Sequence, residues 1–303
     1  LAADSTLSGV VLDLGGSLSL EADGSAGGLN GSGSLELNGQ TLQIQAASGQ
    51  THTYEGTLGE GTLDVSGAGT QVLRSSGADT GLTISGGNLV LQGKADVDGA
   101  RLSYGNLVNS GNLTIQASDN SLTAVNTTLS VENASFSSGS ATTFTLNTDA
   151  DMTASFIEAS GDVVIEDGAS FHVTSIPDVN ITWKSGNPME LTLMELTGDG
   201  TIDLGENTLT VGGLFLTYYK NAHLVQEGDK VVLKAEEQTD NVYAGVADTA
   251  NSMAGANLLW DAARHGSIDQ AITDFLGALN NDMLNNPSAA RRSLAAAAGS
   301  TVN

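Results

Sequence analysis

Acid pairs are the commonest chemistry-bearing pattern in this sequence. Asp96 with Asp98, Asp149 with Asp151, and Asp162 with Glu166 could each supply the two carboxyls of a glycan-cleaving centre. In such a centre one carboxyl protonates the leaving oxygen and the other acts as base or nucleophile. With 35 Asp plus Glu in 303 residues, however, pairs of this kind arise by chance. The four histidines, His52, His172, His223 and His265, form neither a His-x-x-x-His nor a His-Glu-x-x-His pattern. Metal-ligand spacing is therefore lacking, and each is expected at a surface or turn. Asp96-Val97-Asp98-Gly99 is half of a calcium loop, without the third ligand or the closing Glu, and reads as a turn. No Gly-x-Ser-x-Gly nucleophile turn is present. The sequence thus predicts no catalytic, cofactor-binding or metal-binding residues, and no enzyme.

Asn-x-Ser/Thr triplets begin at Asn30, Asn112, Asn126, Asn133 and Asn180. In a chain this rich in Asn, Ser and Thr they read first as turn chemistry. Trp183 and Trp260 are expected to pack, Trp260 in a helix with Leu258 and Leu259, and Trp183 as the cap of a coil.

Composition narrows the classes further. Lys plus Arg number 10 against 35 acids, for a net charge of −25. That excludes a nucleic-acid partner, since phosphate binding needs a basic stripe. It also disfavours an anionic membrane surface. Cysteine is absent, so disulfides and thiolate chemistry are ruled out. Charged residues make up 15 %, and aromatics only 4 % of a chain that is 40 % hydrophobic. Such a core of Val, Leu, Ile and Ala suits thin stacked layers better than a thick globular interior. No apolar run approaches the roughly 18 residues of a membrane helix. The chain starts at Leu1 inside a strand-like pattern, so a targeting segment is expected upstream.

The elements that would position these side chains are short strands. From residue 1 to about 236 the sequence repeats runs such as Leu35-Glu36-Leu37, Leu63-Asp64-Val65, Leu82-Thr83-Ile84, Leu113-Thr114-Ile115 and Val163-Val164-Ile165. Each puts two apolar residues on one face with period two. Asn38-Gly39, Gly67-Ala68-Gly69 and Ser85-Gly86-Gly87 punctuate them as turns. The pattern persists for more than two hundred residues without changing character. That predicts an all-β parallel solenoid, a right-handed β-helix, of about ten coils at roughly 20–25 residues each. Near residue 237 the period lengthens. Ile268, Ile272, Phe275, Leu276, Leu279 and Met283 follow helical steps. Helices are predicted over 241–265, 267–284 and 287–298, with Ser267 and Gln270 as a capping box and Pro287 at the start of the last.

Gly31-Ser32-Gly33-Ser34-Leu35-Glu36-Leu37-Asn38-Gly39 and Tyr54-Glu55-Gly56-Thr57-Leu58-Gly59-Glu60-Gly61-Thr62-Leu63 carry a recognisable phrase. It resembles the repeat of autotransporter passenger domains, in which an aromatic precedes Gly-x-Leu-x-Gly-x-Gly-x-Leu. Gly198-Asp199-Gly200-Thr201-Ile202 through Val231-Val232-Leu233 resembles the last coils of such passengers. Asn286-Pro287-Ser288-Ala289-Ala290-Arg291-Arg292-Ser293-Leu294 resembles the segment preceding their translocating barrel. The resemblance touches about 28–85, 198–236 and 240–303; the stretch 95–180 fits by composition only.

This resemblance implies a β-helical passenger over 1–236, with 177–236 as C-terminal cap and folding nucleus, and a helical linker over 237–303. It implies a bacterial cell-surface or extracellular location, reached through the periplasm and outer membrane. The partners implied are the protein's own translocation barrel, the outer-membrane assembly machinery, and possible host glycan or surface protein. The expected role is a rigid stalk or adhesin. A β-helical carbohydrate-active enzyme and a spacer whose active head lies upstream are the alternatives. No ~10-residue barrel strands with aromatic girdles occur, so export activity is not expected within this piece.

Overall fold

The computed structural model describes residues 6–93, 101–116, 127–146, 155–175, 189–265 and 269–299. The protein is mostly β, with a large parallel sheet of sixteen strands and a short C-terminal helical segment. Short strands stack in three ladders, and the chain visits them in a repeating order. The first runs from Gly24–Gly31 through Thr41–Ile44, Gly61–Val65, Thr80–Ile84, Leu107–Asn109, Ala134–Phe136 and Val163–Ile165 to Ile202–Leu204. The second starts from the same long strand and continues through Thr51–Tyr54, Thr70–Leu73, Asn88–Gln92, Asn112–Gln116, Ala141–Leu146 and Ser170–Ser175 to Thr208–Val211. Arg101–Ser103, Thr128–Val131, Ile157–Ala159 and Met189–Leu196 form the third, which Ser17–Ser19, Ser34–Glu36 and Thr57–Leu58 begin as a separate small sheet.

Register is kept by apolar columns, because slipping one residue would turn each Leu or Val outward. Leu42 lies beside Leu63, Leu63 beside Leu82 and Leu82 beside Leu107. All four are buried. The spacing differs from the expected regular coil. Stacked partners are 21 residues apart at Gln43 and Asp64, 27 at Asn106 and Asn133, and 39 at Asp162 and Thr201. With Thr6–Leu14, which pairs parallel to Gly24–Gly31, the described strands make nine layers against about ten expected coils. A longer turn has more interior to fill, and a cluster of phenylalanines appears where the turns lengthen. Phe136 meets Phe171 edge-on at 5.6 Å, and Phe144 lies 5.2 Å from Phe156 and 6.3 Å from Phe171.

Two glycine sites show how closely the layers approach. A Cβ on Gly56 would collide with the Gly33 carbonyl, and one on Gly33 with the Gly16 carbonyl. The second site is Gly28, whose face is covered by the His52 ring. Gln71 completes that layer from inside. Its Nε2 donates to the Leu29 carbonyl at 2.8 Å, and its Oε1 accepts from the Leu29 N–H at 3.0 Å. A buried amide here satisfies the backbone of a strand that Gly27-Gly28 leaves without side chains.

The far end is built differently. After Thr208–Val211 comes a single helical turn, α1 (Phe215–Tyr218), then an antiparallel hairpin of Tyr219–Glu227 and Lys230–Glu237. Lys230–Glu237 also pairs antiparallel with Met189–Leu196, ending the parallel stacking. Three longer helices follow: α2 (Ala250–His265), α3 (Gln270–Asn285) and α4 (Pro287–Ala297).

The helix boundaries correct two expectations. α2 starts at Ala250 rather than 241. Asn241 caps a separate 3-10 turn, Val242–Val246, by accepting the Tyr243 N–H at 3.0 Å. Thr249 and Ser252 then form a reciprocal pair: the Ser252 N–H donates to Thr249 Oγ1 at 3.0 Å and the Thr249 N–H to Ser252 Oγ at 2.9 Å. Two capping sites in nine residues break what apolar spacing alone reads as continuous. α3 is capped by Asp269, whose carboxylate accepts the Ile272 N–H at 2.9 Å. Ser267 and Gly266 lie outside the described residues. Asn286 caps α4 ahead of Pro287, as the Pro-first pattern requires.

Candidate functional site

With no pocket motif in the sequence, the outer faces of the ladders are the candidate sites. The turns entering the first ladder carry a line of linked polar groups. Asn133 Nδ2 donates to Asn106 Oδ1 at 2.7 Å, and Asn133 Oδ1 accepts the Asp162 N–H at 2.7 Å. Asp162 Oδ1 accepts both the Thr201 N–H and the Thr201 hydroxyl at 2.9 Å. The backbone bond from Thr201, with its hydroxyl second, holds the Asp162 carboxyl below the usual carboxylate range. Beside this line lies an open groove of about 640 Å³, bordered by Glu60, Asp79, Asn106 and Glu132. It has acid on its walls and no Lys, Arg or His among its lining residues.

The third ladder is charged on its outside. Arg101 reaches across to Glu158, with Nη2 to Oε1 at 2.9 Å, and its Nη1 also donates to Oγ of Ser130, the register partner of Glu158, at 2.6 Å. Ser103, Ser160 and Thr197 border the groove of about 380 Å³ beside the ion pair.

On the second ladder the situation is reversed. The seven strands from Thr51–Tyr54 to Thr208–Val211 contain no Asp, Glu, Lys or Arg. Their outward positions are hydroxyl, amide and methyl groups, with the imidazole of His172 among them. Asn112 Nδ2 donates to Asn88 Oδ1 at 2.9 Å along the stack. Where the strands end, Glu55 and Arg74 cancel each other at 2.9 Å.

The residues singled out in the sequence fall into place one by one. Asp162 and Glu166 do not converge. Asp162 binds the following layer at Thr201, whereas Glu166 accepts the N–H of Ser138 in the preceding layer at 2.9 Å. Both work as turn caps. Asp96, Asp98, Asp149, Asp151, Trp183, Asn126 and Asn180 lie outside the described residues. His52 is buried against Gly28, contrary to a surface position; the missing Cβ makes room for its ring. His172 is half-buried on the second ladder, with Nδ1 2.8 Å from Thr210 Oγ1, and burial lowers its pKa from the ordinary 6.5. His223 is exposed at the bulge of the hairpin, and His265 ends α2. Asn30, Asn112 and Asn133 all bond between layers, Asn30 Oδ1 accepting the Thr53 N–H at 2.8 Å. Trp260 meets Tyr243 edge-on at 6.4 Å and carries the Arg264 guanidinium 5.3 Å above its ring. Among the described residues, no group of three or more His, Asp or Glu could hold a metal ion.

Sequence reasoning missed a polar joint between the last layer and the helices. Asn280 on α3 is fully buried. Its Nδ2 donates to the Gly213 carbonyl at 2.7 Å and to Thr217 Oγ1 at 2.9 Å. Thr217 shares a 2.7 Å hydrogen bond with the Tyr243 hydroxyl, whose pKa burial pushes upward. Asn281 accepts the Gly213 N–H at 3.1 Å, and Arg264 pairs with Glu237 at 2.5 Å. The partners are up to 68 residues apart, so no local pattern announces them. The uncharged outer face was also missed, though its signal, strand runs free of charge, was available in the sequence. No family model, curated protein or solved structure matches this chain.

Proposed function

We propose that this chain is part of an autotransporter passenger, displayed at a bacterial surface as a rigid right-handed β-helical stalk that presents a polar face for adhesion. The observation that carries the reading is the ladder order. Parallel strands recur in a fixed sequence of first, second and third ladder, each resting on the turn before it. In this reading 1–236 is the passenger and 237–303 the segment leading to a translocating barrel. The assembly partners are that barrel and the outer-membrane machinery.

The physics of export fits this architecture. A chain held mainly by contacts between neighbouring layers can fold layer by layer as it emerges from a pore. Absence of cysteine keeps it threadable, because no cross-linked loop forms before passage. The C-terminal end would emerge first, and it holds a dense apolar group including Phe215, Tyr219, Val231 and Leu233, all buried.

The test is display. The 303-residue chain is placed between an export signal and a translocating barrel in a Gram-negative host. External antibody and protease should reach it on intact cells, and a folded protease-resistant core should survive. Retention in the periplasm, or complete digestion at the surface, rejects the proposal. Deleting 198–236 should leave the exported remainder protease-sensitive.

A further inference from the structure

We propose that the outer face of the second ladder is a binding surface for neutral polysaccharide. The inference rests on the surface-presentation reading above and names its ligand class and its face. The chain carries −25 and is 15 % charged, so strands of this combined length should hold several charged residues. They hold none. Both other ladders do carry charge on their strands: Asp64 and Asp203 on the first, Glu36, Arg101, Glu158, Glu190 and Glu195 on the third. Charge is therefore absent from seven consecutive strands of one face; Asp13, on the edge strand Thr6–Leu14, stands beyond them next to Asn30.

The chemistry left on that face is specific. One column contains Thr53, Val72, Val90, Thr114, Thr143, His172 and Thr210, held in register by parallel pairing, and all but the buried Val72 face outward. Each Thr offers a hydroxyl and a methyl, and each Val offers methyls. Burial keeps the His172 imidazole below its ordinary range, so it too is neutral near pH 7. Seven strands at about 4.8 Å make a face roughly 30 Å long.

A neutral sugar chain matches these groups. Its hydroxyls can exchange hydrogen bonds with Thr and Asn, and its C–H faces can lie on the methyls. Neither partner then buries an unpaired charge, which would be costly. An anionic polymer meets no cation here and is repelled by the acidic remainder of the molecule. A basic peptide would gain more from the acidic groove beside Asn106.

The test uses the purified 303-residue chain and immobilised cellulose, mannan and galactan, with alginate and heparin as anionic polymers. Retention is expected on at least one neutral polysaccharide. The double variant T114K/T143K should weaken it about tenfold or more. V164K, on the first ladder, should leave it unchanged. Circular dichroism and melting curves establish that each variant is folded. Retention only on anionic polymers overturns the inference, as does no retention on any neutral one, or equal retention by T114K/T143K. Incorporation into growing ice, or self-association through this face, without polysaccharide binding also overturns it. Successful display on cells without polysaccharide binding rejects this inference alone. Failed display with polysaccharide binding rejects the passenger reading alone.

Discussion

The parallel ladders and the C-terminal end solve one problem in opposite ways. In the ladders every layer exposes backbone donors and acceptors that the next layer satisfies, and the packing is local in space. Columns such as Leu42–Leu63–Leu82–Leu107 need only the layers above and below. At the C-terminal end there is no next layer. The hairpin turns the pairing antiparallel, and α2–α4 cover the end with a buried polar joint at Gly213, Thr217, Tyr243 and Asn280. Repetition can be interrupted at one layer and resume. A closure assembled from parts far apart in sequence is lost together.

The sharpest way to break this comparison is Phe215→Ala. Phe215 is fully buried, with its ring centroid 5.0 Å from that of Tyr219 at a tilt of 40°. Truncation should cost about 3–5 kcal/mol. Hydrogen exchange should show α2–α4 and the hairpin losing protection together while layers before residue 93 keep theirs. Equal loss throughout would mean that the ladders and the closing end form one cooperative unit.

Gly28→Ala probes the opposite end. The added methyl meets the His52 ring and should cost about 1–3 kcal/mol by overpacking. Proteolysis should become faster only in the first layers. Protection lost at the helices would contradict nearest-neighbour stability.

Asn280→Ala removes the donor to Gly213 and Thr217. Leaving buried acceptors unpaired should cost about 1–3 kcal/mol. Its signature is selective exposure of α3 to protease. A urea melt unchanged from wild type would mean that the joint contributes nothing to closure.

The smallest effect concerns pH. His172 has a lowered pKa through burial, so the unfolded chain takes up its proton at a higher pH than the folded one. Its contribution to stability is full above 6.5 and is lost as pH falls from there through the folded value. Melting temperature should decline over that interval, and His172→Gln should flatten the decline. Asp162 acts in the same sense at lower pH. Its carboxyl is held down by Thr201, and its contribution disappears as pH falls through its folded pKa.

Much of the ladder was legible because strand signals are local. Alternation at Leu63-Asp64-Val65 and Leu82-Thr83-Ile84 gives strand, facing and inward residues at once, and both runs are strands with those residues buried. The same logic failed at 241–249. Apolar spacing between Val242 and Val246 reads as helix, whereas capping by Asn241 and Thr249 decides otherwise. The acid pair Asp162 and Glu166 shows why spacing of this kind carries little. Separation in sequence fixes neither partner of a side chain, and each carboxylate was taken by a different layer.

The sequence by itself determined the strand periodicity, the turn glycines, the acidic charge, the absence of thiols and the presence of a helical tail. These follow from steric and hydrophobic preferences acting over a few residues. Only the tertiary structure decided which strands stack, how the turns lengthen and why His52 is buried. It also placed the charge-free strands on one ladder and brought Asn280 to Gly213 and Thr217. Those are contacts between distant residues, fixed when separate layers compete to bury apolar surface and satisfy backbone groups. No local preference encodes that competition.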